Sequence, residues 1–317
     1  MHYTFSTPVL KRIFNILFWC IIMNEEQESR LLGSHAEAVT SVRWSPNGKY
    51  IASGGEDKYL ILWDSEQFKQ YRMFGGPKKE ITCVGWSPDS KYAGGGGEDL
   101  VIYIWDADTG YPFRQLKGST KRVTAIVWSP DGRLLASSSL DRTIRIWDLS
   151  AGECMVALRA HEGGIMGVDW RSDGKVIVSG AKDKNVILWN VEKWSPIWTL
   201  KGHIGEVISV CFNPQGNLIA SSSNDKTIRI WLFGAWRTKK VLRTESIVLD
   251  VRWSPDGKYI AGACEDGVIR IWDTEKWELI KKFAGHKGKV NSVDWSPDGT
   301  RLVSGGEDNH IIIWTFA

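Results

Sequence analysis

The sequence has few cysteines and no large excess of charge of either sign. Its five cysteines are scattered and form no C-x-x-C pair, so neither a disulfide framework nor a zinc ribbon is indicated, and a reducing compartment such as the cytoplasm fits best. The 40 basic and 37 acidic residues leave a formal net charge of only +3. A nucleic-acid-binding domain is usually clearly basic, and we therefore expect no nucleic-acid partner.

The sequence also lacks an unbroken hydrophobic run long enough to span a bilayer, although its first residues are strongly apolar. Residues 9–23 read VLKRIFNILFWCIIM, but no small-residue cleavage site follows, and the run is shorter than the ~20 residues of a transmembrane helix. Three interpretations stay open. The segment is an extension upstream of a true start at Met23, a membrane-anchoring or amphipathic segment, or an ordered cover on the folded domain.

Tryptophan is present in unusual number, with 18 copies, and its spacing reveals a repeat. Seven tryptophans close similar runs such as LILW and IRIW, at steps of 42, 42, 42, 42, 41 and 42 residues: Trp63, Trp105, Trp147, Trp189, Trp231, Trp272 and Trp314. Six residues before each lies an aspartate: Asp57, Asp99, Asp141, Asp183, Asp225, Asp266 and Asp308. A fixed period between 20 and 50 residues indicates a solenoid or a propeller.

Each repeat reads as four short strands joined by tight turns. Runs such as VTSVRW are followed by SPNG or SPDG, in which proline at the second position and glycine at the fourth suit a type I turn. The alternating pattern of TIRIW is typical of a half-buried strand. We predict an all-β fold, with one repeat domain at residues 24–317 and an N-terminal apolar extension at residues 1–23.

The repeats resemble those of WD40 proteins over essentially residues 25–317. The G-H and W-D signatures of that family stand at Gly202-His203, Gly285-His286, Trp63-Asp64, Trp105-Asp106, Trp147-Asp148 and Trp272-Asp273. Seven copies in register make the resemblance specific. It implies a seven-bladed β-propeller of four-stranded antiparallel blades.

The two ends of the repeat region predict how the ring closes. The seventh repeat stops at its third strand, HIIIWTFA, whereas an unassigned ESRLL precedes the first repeat. An open sheet edge is a liability, and in the family a displaced strand completes the last blade. We expect Gln27 to Leu32 to pair with the strand that holds Trp314.

A serine, a histidine and an aspartate recur together in four repeats. A catalytic triad needs a single exposed serine beside an oxyanion hole, whereas these sets follow the repeat period. The resemblance implies structural tetrads, in which histidine links the aspartate to serine and tryptophan: His35, Ser53, Asp57, Trp63; His161, Ser179, Asp183, Trp189; His203, Ser221, Asp225, Trp231; and His286, Ser304, Asp308, Trp314. Repeats two, three and six lack the histidine, and we expect their blades to be held less well.

No cofactor, metal site or catalytic residue is predicted. The GGGG run at residues 94–97 lacks the G-K-[ST] of a phosphate-binding loop. Outside the tetrads only His2 and His310 remain, and two histidines cannot build a metal site alone.

The function predicted from these features is a non-catalytic scaffold that binds peptides or protein domains on a loop face, as a monomeric propeller within a complex. One alternative is a membrane-tethered adaptor that uses residues 9–23. A second is a propeller enzyme with its active site in the central channel, where the aligned inner-strand residues are Arg43, Gly85, Val127, Asp169, Cys211, Arg252 and Asp294. Those residues suggest no mechanism.

A candidate partner surface follows from the residue before each turn aspartate. In consecutive repeats six, seven, one and two this residue is a glutamate: Glu265, Glu307, Glu56 and Glu98. The other repeats carry Leu140, Lys182 and Asn224. We expect an acidic arc that attracts a partner bearing Lys or Arg, with Lys182 in the opposite sector.

Overall fold

Seven four-stranded antiparallel sheets make up the computed structural model, which describes residues 29–316. Blade 1 contains β2 (Val39–Trp44), β3 (Tyr50–Gly55), β4 (Leu60–Asp64) and β5 (Lys69–Phe74); blade 2 contains β6 (Ile81–Trp86), β7 (Tyr92–Gly97), β8 (Val101–Asp106) and β9 (Pro112–Lys117). Blade 3 contains β10 (Val123–Trp128), β11 (Leu134–Ser139), β12 (Ile144–Asp148) and β13 (Glu153–Leu158); blade 4 contains β14 (Ile165–Trp170), β15 (Val176–Ala181), β16 (Val186–Asn190) and β17 (Ser195–Leu200). Blade 5 contains β18 (Val207–Phe212), β19 (Leu218–Ser223), β20 (Thr227–Leu232) and β21 (Arg237–Arg243); blade 6 contains β22 (Val248–Trp253), β23 (Tyr259–Cys264), β24 (Val268–Asp273) and β25 (Leu279–Ala284).

Blade 7 takes three strands from the end of the chain and one from the start of the described region. Its members are β26 (Val290–Trp295), β27 (Arg301–Gly306), β28 (His310–Thr315) and β1 (Ser29–Ser34), in the order β1-β28-β27-β26. Strand β1 runs antiparallel to β28, with Ser29 opposite Trp314 and Ser34 opposite His310. The predicted seven-bladed fold and its closure are confirmed. Gln27 and Glu28 of the predicted strand lie outside the described residues, and the described strand continues two residues past Leu32.

The predicted extension at residues 1–23 lies outside the described residues. Between residues 29 and 316 the secondary structure consists of strands and turns, and no helix is long and apolar enough to cross a membrane.

The turns between the first two strands of blades 1, 3, 6 and 7 follow the S-P-x-G pattern, and blades 4 and 5 have the variants RSDG and NPQG. In blade 1 the N–H of Gly48 donates to the carbonyl of Ser45 at 2.9 Å, and Gly48 has a φ of +75°. This left-handed conformation suits a residue without a Cβ. Blade 2 has Ser90 at the equivalent place with a φ of +62°, so the turn geometry is kept where glycine is missing.

The hydrophobic core lies between neighbouring blades rather than within one sheet. Leu60 and Leu62 of blade 1, for example, share a buried cluster with Ile81, Val84 and Trp86 of blade 2. Each four-stranded sheet therefore buries both of its faces, and the repeated tryptophans of the third strands are at most 5% exposed. Burial on both faces explains why these strands are apolar almost throughout.

The closing strand contributes to the last of these interfaces. Leu32 of β1 is 5% exposed and shares a cluster with Trp63 of blade 1 and Ile311 of blade 7. A Cβ on the adjacent Gly33 would overlap the indole ring of Trp63, so strand and ring are in close contact. Leu31, in contrast, is 57% exposed.

We expect Leu32→Ala to lower the free energy of unfolding by about 2 to 4 kcal/mol, because it leaves a cavity between blades 7 and 1. The matched variant Leu31→Ala should change it by less than about 0.5 kcal/mol, as is usual at an exposed position. Urea unfolding followed by tryptophan fluorescence measures both values. Equal effects of the two substitutions would contradict closure of the ring by β1.

Candidate functional site

The four predicted Ser/His/Asp/Trp sets are each brought together in one blade. In blade 5, His203 Nδ1 lies 2.8 Å from Asp225 Oδ2 and its Nε2 lies 2.8 Å from Ser221 Oγ, while Trp231 Nε1 donates to Ser221 Oγ at 2.8 Å. The sets of His35, His161 and His286 have the same connectivity, with distances of 2.7 to 2.9 Å.

The proton positions in blade 5 follow from the acceptors. The Asp225 carboxylate only accepts, so Nδ1 of His203 carries the hydrogen, and Nε2 accepts the O–H of Ser221. Burial lowers the pKa of His203, although Asp225 favours the charged form. For Asp225, burial raises the pKa, but hydrogen bonds from Thr227 and His203 outweigh it and hold the pKa below its usual value. At neutral pH the ring is therefore neutral and fully bonded.

This geometry gives the serines no access to a substrate. Ser53, Ser179, Ser221 and Ser304 are completely buried, and their oxygens accept the indole N–H groups. A nucleophile must reach a reacting atom beside an oxyanion hole. The arrangement instead joins a turn to the strands beneath it.

The three blades without the histidine hold the turn aspartate by a different side chain. Tyr103 Oη donates to Asp99 Oδ2 at 3.0 Å in blade 2. Arg145 forms an ion pair of 2.8 Å with Asp141 in blade 3. In blade 6 Arg270 makes a fork of 2.8 and 2.6 Å to the two oxygens of Asp266.

Each of the three aspartates therefore keeps a polar partner without histidine, and the expectation that these blades are held less well stays a prediction. The substitute stands four residues after the aspartate in every case. At that position blades 1, 4 and 7 have Ile61, Ile187 and Ile312. Blade 5 has Arg229 at that position together with His203, so the position alone does not mark the blades that lack histidine.

Ion pairs neutralise two of the four glutamates of the predicted acidic arc. Glu98 contacts Arg122 at 3.1 Å, and Glu265 contacts Lys289 Nζ at 2.9 Å. These two carboxylates are thus locally neutralised. On the other side of the ring Lys182 lies 3.7 Å from Glu206, so it too has a partner of opposite charge.

Glu56 retains an acidic environment, to which Glu307 and two further glutamates contribute. Burial, and then the charges of Glu80, Glu37 and Glu307, raise the pKa of Glu56. Glu56 makes no ion pair within residues 29–316 and lines the mouth of the central channel. Glu307 accepts a hydrogen bond of 3.3 Å from the backbone of Lys289. We name Glu37, Glu56, Glu80 and Glu307 the acidic mouth; sequence alignment of one turn position did not reveal Glu37 and Glu80.

The central channel has a volume of about 550 Å³. It is lined by the first strand of each blade, and we call these the inner strands: β2, β6, β10, β14, β18, β22 and β26. Near the acidic mouth its wall is formed by the second residue of each inner strand: Thr40, Thr82, Thr124, Met166, Ile208, Leu249 and Asn291. Within residues 29–316, no three His, Cys, Asp or Glu side chains are grouped so that they could hold a metal ion.

The glycine run of residues 94–97 lies in strand β7 and is buried. A Cβ on Gly97 would overlap the carbonyl of Glu80, and one on Gly94 would come within 2.7 Å of Trp128. These glycines allow close packing of strands and do not form a loop.

A closed ring of seven blades, each with a turn aspartate bonded to its strands, defines a repeat propeller. A family model described as WD domain, G-beta repeat matches residues 26–64, 68–106, 110–148, 152–190, 194–231, 236–273 and 277–315. The chain belongs to the WD40 family.

Similarity to individual curated proteins is confined to short segments. Protein hir1 of Schizosaccharomyces pombe is 50% identical over 36 residues, which cover 11% of this chain and 4% of that protein. Protein HIRA of Xenopus laevis is 50% identical over 32 residues, which cover 10% of this chain and 3% of that protein. These matches are shorter than one 42-residue repeat.

The contribution of a tetrad histidine to stability can be measured by replacing it and, as a control, by replacing a neighbouring histidine outside the tetrad. His286 Nδ1 lies 2.9 Å from Asp308 with its side chain fully buried, whereas His310 Nδ1 lies 3.5 Å from the same aspartate with 40% exposure. We expect His286→Ala to lower the free energy of unfolding by about 1 to 3 kcal/mol by leaving buried partners unbonded. His310→Ala should cost less than about 0.5 kcal/mol.

Urea unfolding of the two variants tests this expectation. Two similar losses would show that the interaction of His286 is worth no more than a surface contact. A hydrolase activity of the wild type that His286→Ala alone abolishes would contradict the structural role of the tetrad.

Proposed function

We propose that this propeller is a non-catalytic, monomeric scaffold of the cytoplasm that binds a protein or peptide segment bearing Lys or Arg at the acidic mouth. The observation that carries the proposal is the position of Glu56, whose carboxylate borders the channel among three other glutamates. Burial and the like charges of these neighbours raise the pKa of Glu56, and a bound cation relieves the repulsion.

The spread of the acidic mouth favours an extended segment over a single small cation. Glu37 and Glu56 belong to the loops of blade 1, Glu80 precedes the first strand of blade 2, and Glu307 follows the second strand of blade 7. A peptide that crosses these three blades can place several basic side chains. The hydroxyl and apolar side chains at the channel wall would contact the uncharged parts of the segment.

Two observations support a role without catalysis. The serines of all four tetrads are buried and bonded, and WD40 membership is compatible with binding through loop faces. The alternative of a membrane-tethered adaptor depends wholly on residues 9–23, outside the described region, and no contact within residues 29–316 favours it.

Reversal of two charges tests the acidic mouth. We expect Glu56→Lys combined with Glu307→Lys to weaken binding of a labelled eight-residue Lys/Arg peptide at least tenfold, because two attractive charges become repulsive. Raising the NaCl concentration from about 20 to 200 mM should weaken binding of the peptide to the wild type, since added salt shortens the range of electrostatic attraction. Fluorescence anisotropy measures both effects.

The matched control is Glu162→Lys combined with Glu192→Lys, which makes the same change in net charge at two exposed positions of blade 4. It should leave affinity within about twofold. Equal loss in both double variants would show that net charge, and not the acidic mouth, attracts the peptide. In pull-downs at low salt, an unchanged set of captured proteins with the first variant would also contradict the proposal.

A further inference from the structure

The end of the channel opposite the acidic mouth contains a second group of charged side chains. Each inner strand starts beside the mouth, where the N–H of Glu56 donates to the carbonyl of Ala38, and leads away from it. The fifth residues of these strands lie about 13 Å farther along, at 3.3 Å per residue. Four of them are charged: Arg43, Asp169, Arg252 and Asp294. We call this group, together with Asp250, the lower cluster.

Asp250 is already fully engaged by the protein. Its oxygens accept hydrogen bonds from Ser209 at 2.9 Å, Ser292 at 3.0 Å and Arg43 Nη1 at 3.0 Å. One buried carboxylate of blade 6 thereby contacts blades 5, 7 and 1. Burial raises its pKa, but the charges of Arg252 and Arg43 outweigh it and hold the pKa below the usual value. Asp250 is thus ionised and has little capacity for a ligand.

Arg252 is charged but poorly bonded. Its Nε lies 3.5 Å from Asp250 Oδ1 and is buried without a hydrogen-bond partner. The side chain lines the channel and is 24% exposed. A guanidinium carries five N–H donors, and a buried polar group without a partner calls for a ligand or a water molecule. Within residues 29–316, the guanidinium of Arg252 forms an ion pair and no hydrogen bond.

Asp169 and Asp294 each accept one backbone hydrogen bond from the next blade. Asp169 accepts from the N–H of Phe212 and Asp294 from that of Trp44, both at 2.8 Å. Burial raises the pKa of both carboxyl groups. Once both are protonated, two arginines face the single charge of Asp250, and the lower cluster has a net positive charge.

We propose that the lower cluster binds a small oxyanion, such as a carboxylate, phosphate or sulfate group, through the guanidinium of Arg252 with that of Arg43 beside it. The planar fork of a guanidinium matches two oxygens of such a group. The opposite wall is formed by Gly85 and Val127, which leaves space for an uncharged part of the ligand. This site is separate from the acidic mouth and does not depend on the function proposed there.

Protonation of Asp169 and Asp294 controls the affinity of the site. The titratable and charged groups that line the channel are Arg43, Cys83, Asp169, Asp250 and Arg252, with Glu56 and Arg122 at the other end. Cys211 and Asp294 stand at the fifth positions of two further inner strands, and burial raises the pKa of the Cys83 thiol to about 12. Burial holds the pKa of the Cys211 thiol far above neutrality, so it stays uncharged. Binding of an anion should therefore strengthen as the pH falls and the two carboxylates lose their charge.

Radiolabelled sulfate is a suitable probe because it remains a dianion between pH 5.5 and 8. Equilibrium dialysis with the full chain should show one saturable site that binds severalfold more tightly at pH 5.5 than at pH 8. Arg252→Gln should weaken binding at least tenfold. The matched control Arg237→Gln, which removes an exposed arginine of strand β21, should leave binding unchanged.

Asp294→Asn gives an independent test, because the amide oxygen can still accept the N–H of Trp44. It should tighten sulfate binding at pH 8 and reduce the pH dependence. If Arg252→Gln does not fold, the test rests on Asp294→Asn. The proposal is then overturned if Asp294→Asn binds sulfate no more tightly than the wild type at pH 8. Sulfate binding that is unsaturable, or equal in wild type and Arg252→Gln, would also overturn it, as would binding of a capped acidic peptide without any binding of sulfate.

Discussion

Burial of both faces of every blade is the constraint on which this structure depends. A sheet that is apolar on both sides cannot stand at the end of a row, because one face and one edge would meet water. The ring removes the exposed face, and β1 covers the outer edge of β28 in blade 7. The positions of all the loops around the channel follow from this closure.

The same burial dictates how the polar groups are arranged. A buried donor or acceptor without a partner costs more than its bond contributes, so each turn aspartate needs a polar partner in its own blade. Histidine supplies it in four blades, as His203 does for Asp225. Tyrosine or arginine supplies it in the others, as Arg270 does for Asp266. The aspartate is constant in all seven repeats, whereas the group that binds it varies.

Features set by the period of the chain could be predicted from the sequence. The 42-residue step places equivalent residues at equivalent points of the ring, and together with what the resemblance to WD40 proteins implies it was enough for the fold, the closing strand and the members of each tetrad. Contacts between repeats do not follow from that alignment. The pairing of Glu265 with Lys289 depends on side chains from adjacent blades, and the bond from Arg43 to Asp250 joins residues 207 positions apart. The first pair requires two blades to pack side by side, and the second requires the closed ring.

When Asp169 and Asp294 are protonated, ring closure places unlike charges at the two ends of one channel. The acidic mouth around Glu56 and the lower cluster around Arg252 are separated by a stretch of wall that contains hydroxyl, amide and apolar side chains. Their separation of about 13 Å exceeds the Debye length of about 8 Å at physiological ionic strength, but screening is weaker for groups removed from bulk solvent. A basic segment bound at one end would attract an oxyanion bound at the other along the channel. If both sites are occupied, each ligand therefore favours the other, and by reciprocity the two affinities rise by the same factor.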